Sequence, residues 1–148
     1  MPVRIQAEDF DIAAEIAALS AGRDDIGALV TFTGLVRGGE TASLTLEHYP
    51  GMTEKALSAI EAEALTRWPL KASLIIHRVG TLAPGAQIVL VATASESRHA
   101  AFEAASFLMD YLKTDAPFWK REDRSDGASH WLDARETDTA SRDRWKKP

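Results

Sequence analysis

Two lysines seven residues apart, Lys113 and Lys120, bracket the segment Pro117-Phe118-Trp119, and Arg121 and Arg124 follow within four residues. A lysine close to other cations and to aromatic walls gives up its proton more easily, because desolvation and like charge both disfavour the ammonium form; catalytic lysines are made in this way. Taken singly, Lys113 has a plainer explanation, since a lysine in the last turn of a helix complements the helix dipole. Two arginines stand at comparable punctuation points. Arg37 closes an apolar stretch just before Gly38-Gly39, and Arg98 opens a helical pattern. Each alone reads as a solvated cation at the end of an element; together with the free amides of a helix N-terminus they would hold a phosphate or another anion.

Other chemistries find little support. The chain contains no cysteine, which removes thiolate nucleophiles, persulfide carriers, thiolate zinc sites and iron–sulfur clusters together. Any sulfur handled here must arrive on another molecule. His48, His77, His99 and His130 are scattered, with no H-E-x-x-H pattern, so each reads as a core or surface histidine and no metal site is expected. No serine sits in a G-x-S-x-G elbow, and the pairs Asp24-Asp25 and Glu122-Asp123 fall in apparent loops or turns, where solvation accounts for them. A net charge of −5 opposes general nucleic-acid binding by counterion release, so any basic site must be local.

The elements that must position these residues follow from patterning. With 148 residues, 45% hydrophobic and 26% charged, the chain is expected to form one globular domain over 1–148 with a charged tail from about 137, and no cofactor or metal staple is called for. Apolar runs such as Ile88 to Ala92 are strand-sized; neither a membrane span nor a signal peptide is evident, and a cytoplasmic location is the default expectation. Asp9 or Asp11 caps a first helix carrying Ile12, Ile16 and Leu19, with Gly22 as its stop. Gly27 to Arg37 reads as a strand buried on both faces, with Gly34 marking a bulge or a close backbone approach. Ser43 to Tyr49 alternates and is placed as its hairpin partner. After Pro50-Gly51, Thr53 is expected to cap a helix with Leu57, Ile60, Ala64 and Trp68 on one face and Met52 stapled to Leu57, ending at Pro69. Lys71 to His77 and Gln87 to Ala94 are strands, the second central because both its faces are apolar. Ser95 or Ser97 caps a helix reaching about Thr114, then come strands at Phe118 to Glu122 and around Trp131-Leu132. Strands and helices mix without βα alternation, so the fold class is α+β; with neither a G-x-G-x-x-G nor a Walker A loop, a doubly wound nucleotide fold is disfavoured.

The words FTGLVR, LEHYPGMTEKAL, HRVGTLAPG, AFEAASFLMDYLKTDAPFWKRE and WLDARE, spread from about Gly27 to Glu136, resemble the large, catalytic subunits of molybdopterin synthases. The resemblance implies an α/β hammerhead fold with an additional antiparallel sheet. It further implies a homodimer of large subunits within a heterotetramer, with a small ubiquitin-like subunit docked on each. That small subunit would carry sulfur as a thiocarboxylate on its C-terminal Gly-Gly and deliver it twice to cyclic pyranopterin monophosphate, making the dithiolene of molybdopterin; neither nucleic acid nor membrane enters. By position, the family's two catalytic lysines fall on Lys113 and Lys120, and its substrate-binding arginines on Arg37, Arg98 and Arg135.

Two departures qualify that correspondence. The family often has His-Arg at the start of the long helix, where this chain has Ser97-Arg98; His99 would point about 100° around the helix from Arg98 and so does not replace the imidazole. The loop Gly38 to Thr41 is also short. The missing histidine is the one feature that favours a competing reading, a non-catalytic anion-binding or partner-docking module of the same fold, whereas the retained lysines oppose it.

Overall fold

The computed structural model describes residues 2–132 and 136–146. Among these, the strands form two four-stranded sheets. The first has the order β1 (Val3–Gln6), β4 (Leu70–Arg78), β6 (Gln87–Ser95), β2 (Ala28–Leu35), with β1 parallel to β4 and the other pairs antiparallel. The second is wholly antiparallel, in the order β5 (Gly80–Leu82), β3 (Thr41–His48), β7 (Phe118–Arg124), β8 (Ser129–Leu132). Four helices complete the fold: α1 (Ile12–Ser20), α2 (Met52–Arg67), α3 (Arg98–Thr114) and α4 (Glu136–Asp143), the last followed by a 3-10 turn, Arg144–Lys146. This is the α+β class expected from the pattern.

Two-residue alternation divides the core. Ile75, Val89 and Val91 project to one face of the first sheet, where Leu57 and Ile60 of α2 and Phe107, Leu108 and Leu112 of α3 cover them. Leu74, Ile76, Leu90 and Ala92 project to the other face, under Phe10 and the partly buried Ile12 and Leu19 of α1. Full burial of each such side chain contributes roughly 1.5–3 kcal/mol, so β4 and β6, covered on both faces, anchor the molecule. β6 is central, as expected, lying between β4 and β2.

Several local expectations hold. Asp11 caps α1, its carboxylate accepting from the Ala14 amide at 3.1 Å. Ser97 is the N-cap of α3, accepting from the Ala100 amide at 3.4 Å. Gly34 lies at a register shift, and a Cβ there would approach Val89 Cγ1 to 2.9 Å.

Others need correction. β2 is an edge strand, not one buried on both faces: it pairs only with β6, and Phe32 and Leu35 are exposed. Nor does it form a hairpin with β3. After the bulge the chain leaves the first sheet, because the Val36 amide donates to the Ala86 carbonyl (2.9 Å) and its carbonyl accepts from Gly85 (2.8 Å), and β3 then pairs with β5 and β7. The N-cap of α2 is Gly51 and not Thr53; the Glu54 carboxylate accepts from the Gly51 amide at 2.9 Å. Met52 is exposed while Leu57 is fully buried, so no staple holds that end. Finally, the tail is structured: Trp145 packs edge-on against Trp68 and Phe107 and donates its indole N–H to Asp110 at 2.7 Å.

Candidate active site

Helix α3 delivers Lys113 in its last turn, where the backbone bends through Asp115-Ala116-Pro117 into β7, and Lys120 follows in that strand. One buried hydroxyl pins the bend. Thr53 is completely buried; its Oγ1 donates to the Pro117 carbonyl and accepts from the Tyr49 amide, both at 2.9 Å. The residue read as a helix cap therefore ties the start of α2 to the segment between the two lysines. On β7, Lys120 lies opposite Leu46 of β3 on one side and Leu132 of β8 on the other.

Lys113, Lys120 and Arg37 all line one cavity of about 400 Å³. Its other walls include Leu112, Phe118, Trp119 and Leu132, with Asp138 of α4 as the one carboxylate among the described residues. Among the described lining residues three cations stand against one anion, which makes the cavity a receptor for negative charge. The structure thus brings the two lysines singled out in the sequence together with Arg37, which the sequence had placed beside Arg98.

Arg98 is elsewhere. It opens α3, fifteen residues before Lys113, about 22 Å away along the helix axis, and does not line the cavity. Within one copy of the chain, Arg37 and Arg98 therefore do not form the joint anion site their positions suggested. Arg135 lies outside the described residues.

Two cavity residues escaped the sequence reading. Asp138 sits in what looked like a charged tail. His77 is the next-to-last residue of β4, only 2% exposed, with its ring stacked on Phe118 at 3.8 Å between centroids and 18° between planes. Its Nδ1 is 2.8 Å from the Arg78 carbonyl oxygen. Burial pushes the imidazole pKa down to about 4; the Arg78 carbonyl opposes this, while the positive charges of Lys120, Lys113 and His48 reinforce it. His77 is consequently neutral near pH 7. The signal for it was its place in HRVGTLAPG, although spacing alone gives that histidine no role. Among the described residues no three histidine, aspartate or glutamate side chains gather as a metal site would require.

A sequence model of the MoaE protein family matches residues 5–115. The chain belongs to the MoaE protein family. It is 58% identical to the molybdopterin synthase catalytic subunit of Mesorhizobium japonicum, over 97% of this chain and 92% of that one. Its fold superposes on the molybdopterin biosynthesis MoaE protein of Burkholderia ambifaria with a TM-score of 0.85 and 55% identity, covering 99% of this chain and 98% of that one. A subunit 1–subunit 2 complex of the molybdopterin-converting factor of Helicobacter pylori contains a chain of the same fold, with a TM-score of 0.75 at 19% identity over 92% of each chain. The resemblance read from the motifs therefore holds, and membership of this family makes the chain an enzyme of the catalytic-subunit type. Among the described residues no helix is long and apolar enough to cross a membrane.

Proposed function

We propose that this chain catalyses sulfur transfer from the C-terminal thiocarboxylate of a small ubiquitin-like subunit to cyclic pyranopterin monophosphate, forming the dithiolene of molybdopterin in two successive transfers. The observation that carries the reading is the meeting of Lys113, Lys120 and Arg37 in one cavity of a chain without a single cysteine. Substrate phosphate and thiocarboxylate are both anions, and the cavity offers three cations to hold them. The sulfur is already a good nucleophile, so the protein's task is to set it beside the pterin side chain and stabilise charge on acyl and phosphate oxygens.

In each transfer the sulfur forms a bond to a side-chain carbon of the pterin as a carbon–oxygen bond at that carbon breaks, the displaced oxygen taking up a proton to leave as water or staying on the phosphate. Water then breaks the acyl–sulfur bond, and the glycine tail departs as a carboxylate. A charged Lys113 suits the thiocarboxylate, Lys120 suits proton transfer at the reacting centre, and Arg37 suits the phosphate. A glycine tail fits the task because, lacking side chains, its backbone can approach the lysines closely. Arg98 acts on this substrate only if a second copy of the chain presents it to the cavity, in keeping with a homodimer of large subunits; Arg135 would add a further contact from the tail.

The test combines the purified chain with thiocarboxylated small subunit and the pterin precursor. Dithiolene formation is expected there and nowhere else. Efficient formation from inorganic sulfide without the small subunit would overturn the division of labour.

A further inference from the structure

We propose that His77 is a positioning residue of this site, a neutral hydrogen-bond acceptor that steers the Lys120 ammonium within the cavity. The proposal rests on the sulfur-transfer reading for its consequence and on the following geometry for its substance. The imidazole is buried, yet it lines the same cavity as Lys120. Phe118, on which it stacks, and Lys120 are two residues apart on β7, and alternate residues of a strand share a face. The strand face that clamps the ring is therefore the face that carries the ammonium.

The ring's second polar atom has a determined character. A carbonyl oxygen only accepts, so the 2.8 Å contact with Arg78 requires the hydrogen on Nδ1. In the neutral imidazole Nε2 then holds a lone pair and no hydrogen. Among the described residues the charged groups that act on the ring are Lys120 from β7, Lys113 from α3 and His48 from β3, and Arg37 and Asp138 share the cavity. Burial and those cations keep the ring uncharged down to about pH 4. A carboxylate here would cancel part of the field that attracts the substrate, and a cation would repel the lysine. A neutral acceptor orients the ammonium without doing either.

The test compares His77→Phe, which retains an aromatic ring to stack on Phe118 but removes both nitrogens, with His77→Gln, whose carbonyl oxygen reaches the region of Nε2. Two quantities are read: the single-turnover rate of dithiolene formation from pH 6 to 10, and the titration of the Lys120 side chain by NMR of the isotopically labelled protein. His77→Phe is expected to slow transfer about tenfold or more, to leave small-subunit affinity unchanged, and to move the Lys120 titration to lower pH because the ammonium has lost an acceptor. His77→Gln should recover most of the rate and return the titration toward its original position. Should His77→Phe fail to fold, His77→Asn, whose amide replaces Nδ1 alone, takes its place against His77→Gln. A Lys120 titration unmoved by the loss of the acceptor, or a glutamine variant no better than the phenylalanine one, would overturn the proposal. Because the titration needs no substrate, its outcome is separable from that of the sulfur-transfer assay.

Discussion

The two sheets of this molecule are built by the same rules and used for different ends. In the first, seven of the nine residues of β6 and five of the nine of β4 are buried, with helices over both faces. In the second, β7 is mostly half-buried and β8 is exposed throughout. Packing in the first sheet supplies rigidity. The second keeps charged side chains such as Lys120 at the border between core and solvent, where an anion can enter and still meet apolar walls. Stability thus rests mainly on the first layer, whereas the candidate site lies where the layers meet, at the bend in which α3 passes into β7.

The sharpest challenge to this division is to alter each layer separately. Lys113→Ala and Lys120→Ala should each lower dithiolene formation by about a hundredfold or more, as expected for loss of a group aimed at developing charge, and leave the thermal midpoint nearly unchanged. Single-turnover kinetics beside calorimetry checks this; a near-normal rate removes that lysine from the mechanism. Ile75→Ala, in a completely buried position of β4, should do the reverse and cost about 2–5 kcal/mol of unfolding free energy while each folded molecule keeps its turnover.

Acid should reveal the joint between the layers. The His77 pKa is lowered from 6.5 to about 4 on folding, so between those values the unfolded chain binds more protons. The contribution is fully present above about pH 6.5 and is lost as pH falls toward 4, an effect of about 3 kcal/mol in chemical denaturation. His77→Phe should abolish that part of the pH dependence. A smaller effect is expected of Arg37→Ala, which should raise KM for the pterin about tenfold with kcat little altered, since an anion contact is lost and the sulfur donor stays in place. Smallest is Ser97→Ala. Its cap bond is long at 3.4 Å, so the loss should not exceed about 1 kcal/mol, and a fall in rate without a fall in stability would show that the serine takes part in the reaction.

What the sequence disclosed follows the same boundary. β6 was legible because burial on both faces gives an unbroken apolar run, and α2 and α3 because packing on one face imposes apolar periodicity, which Leu57, Ile60 and Ala64 on α2 follow closely. β2 was misread because Phe32 and Leu35 make an edge strand look like an interior one. The pairing of β3 with β7 joins residues some seventy to eighty positions apart, and local turn signals carry no information about it. At the site, Lys113, Lys120 and Arg37 could be named from their motifs. The role of Thr53 could not, since a threonine near a helix start looks like a cap, and its partner at Pro117 is 64 residues away. Asp138 and Trp145 were hidden in a segment whose composition resembles a solvated tail.

That long-range pairing also gives the chain an order of assembly. All four strands of the first sheet lie before residue 96, so the rigid frame can form while the polypeptide is still being made. β3 emerges early, but β7 follows only after a further seventy residues, and contacts of such sequence separation close slowly. Until then β3 presents an unpaired backbone edge, the kind of surface on which nascent chains associate. The candidate cavity, which draws on β4, α3, β7, β8 and α4, consequently has all its described walls only once nearly the whole polypeptide has been made.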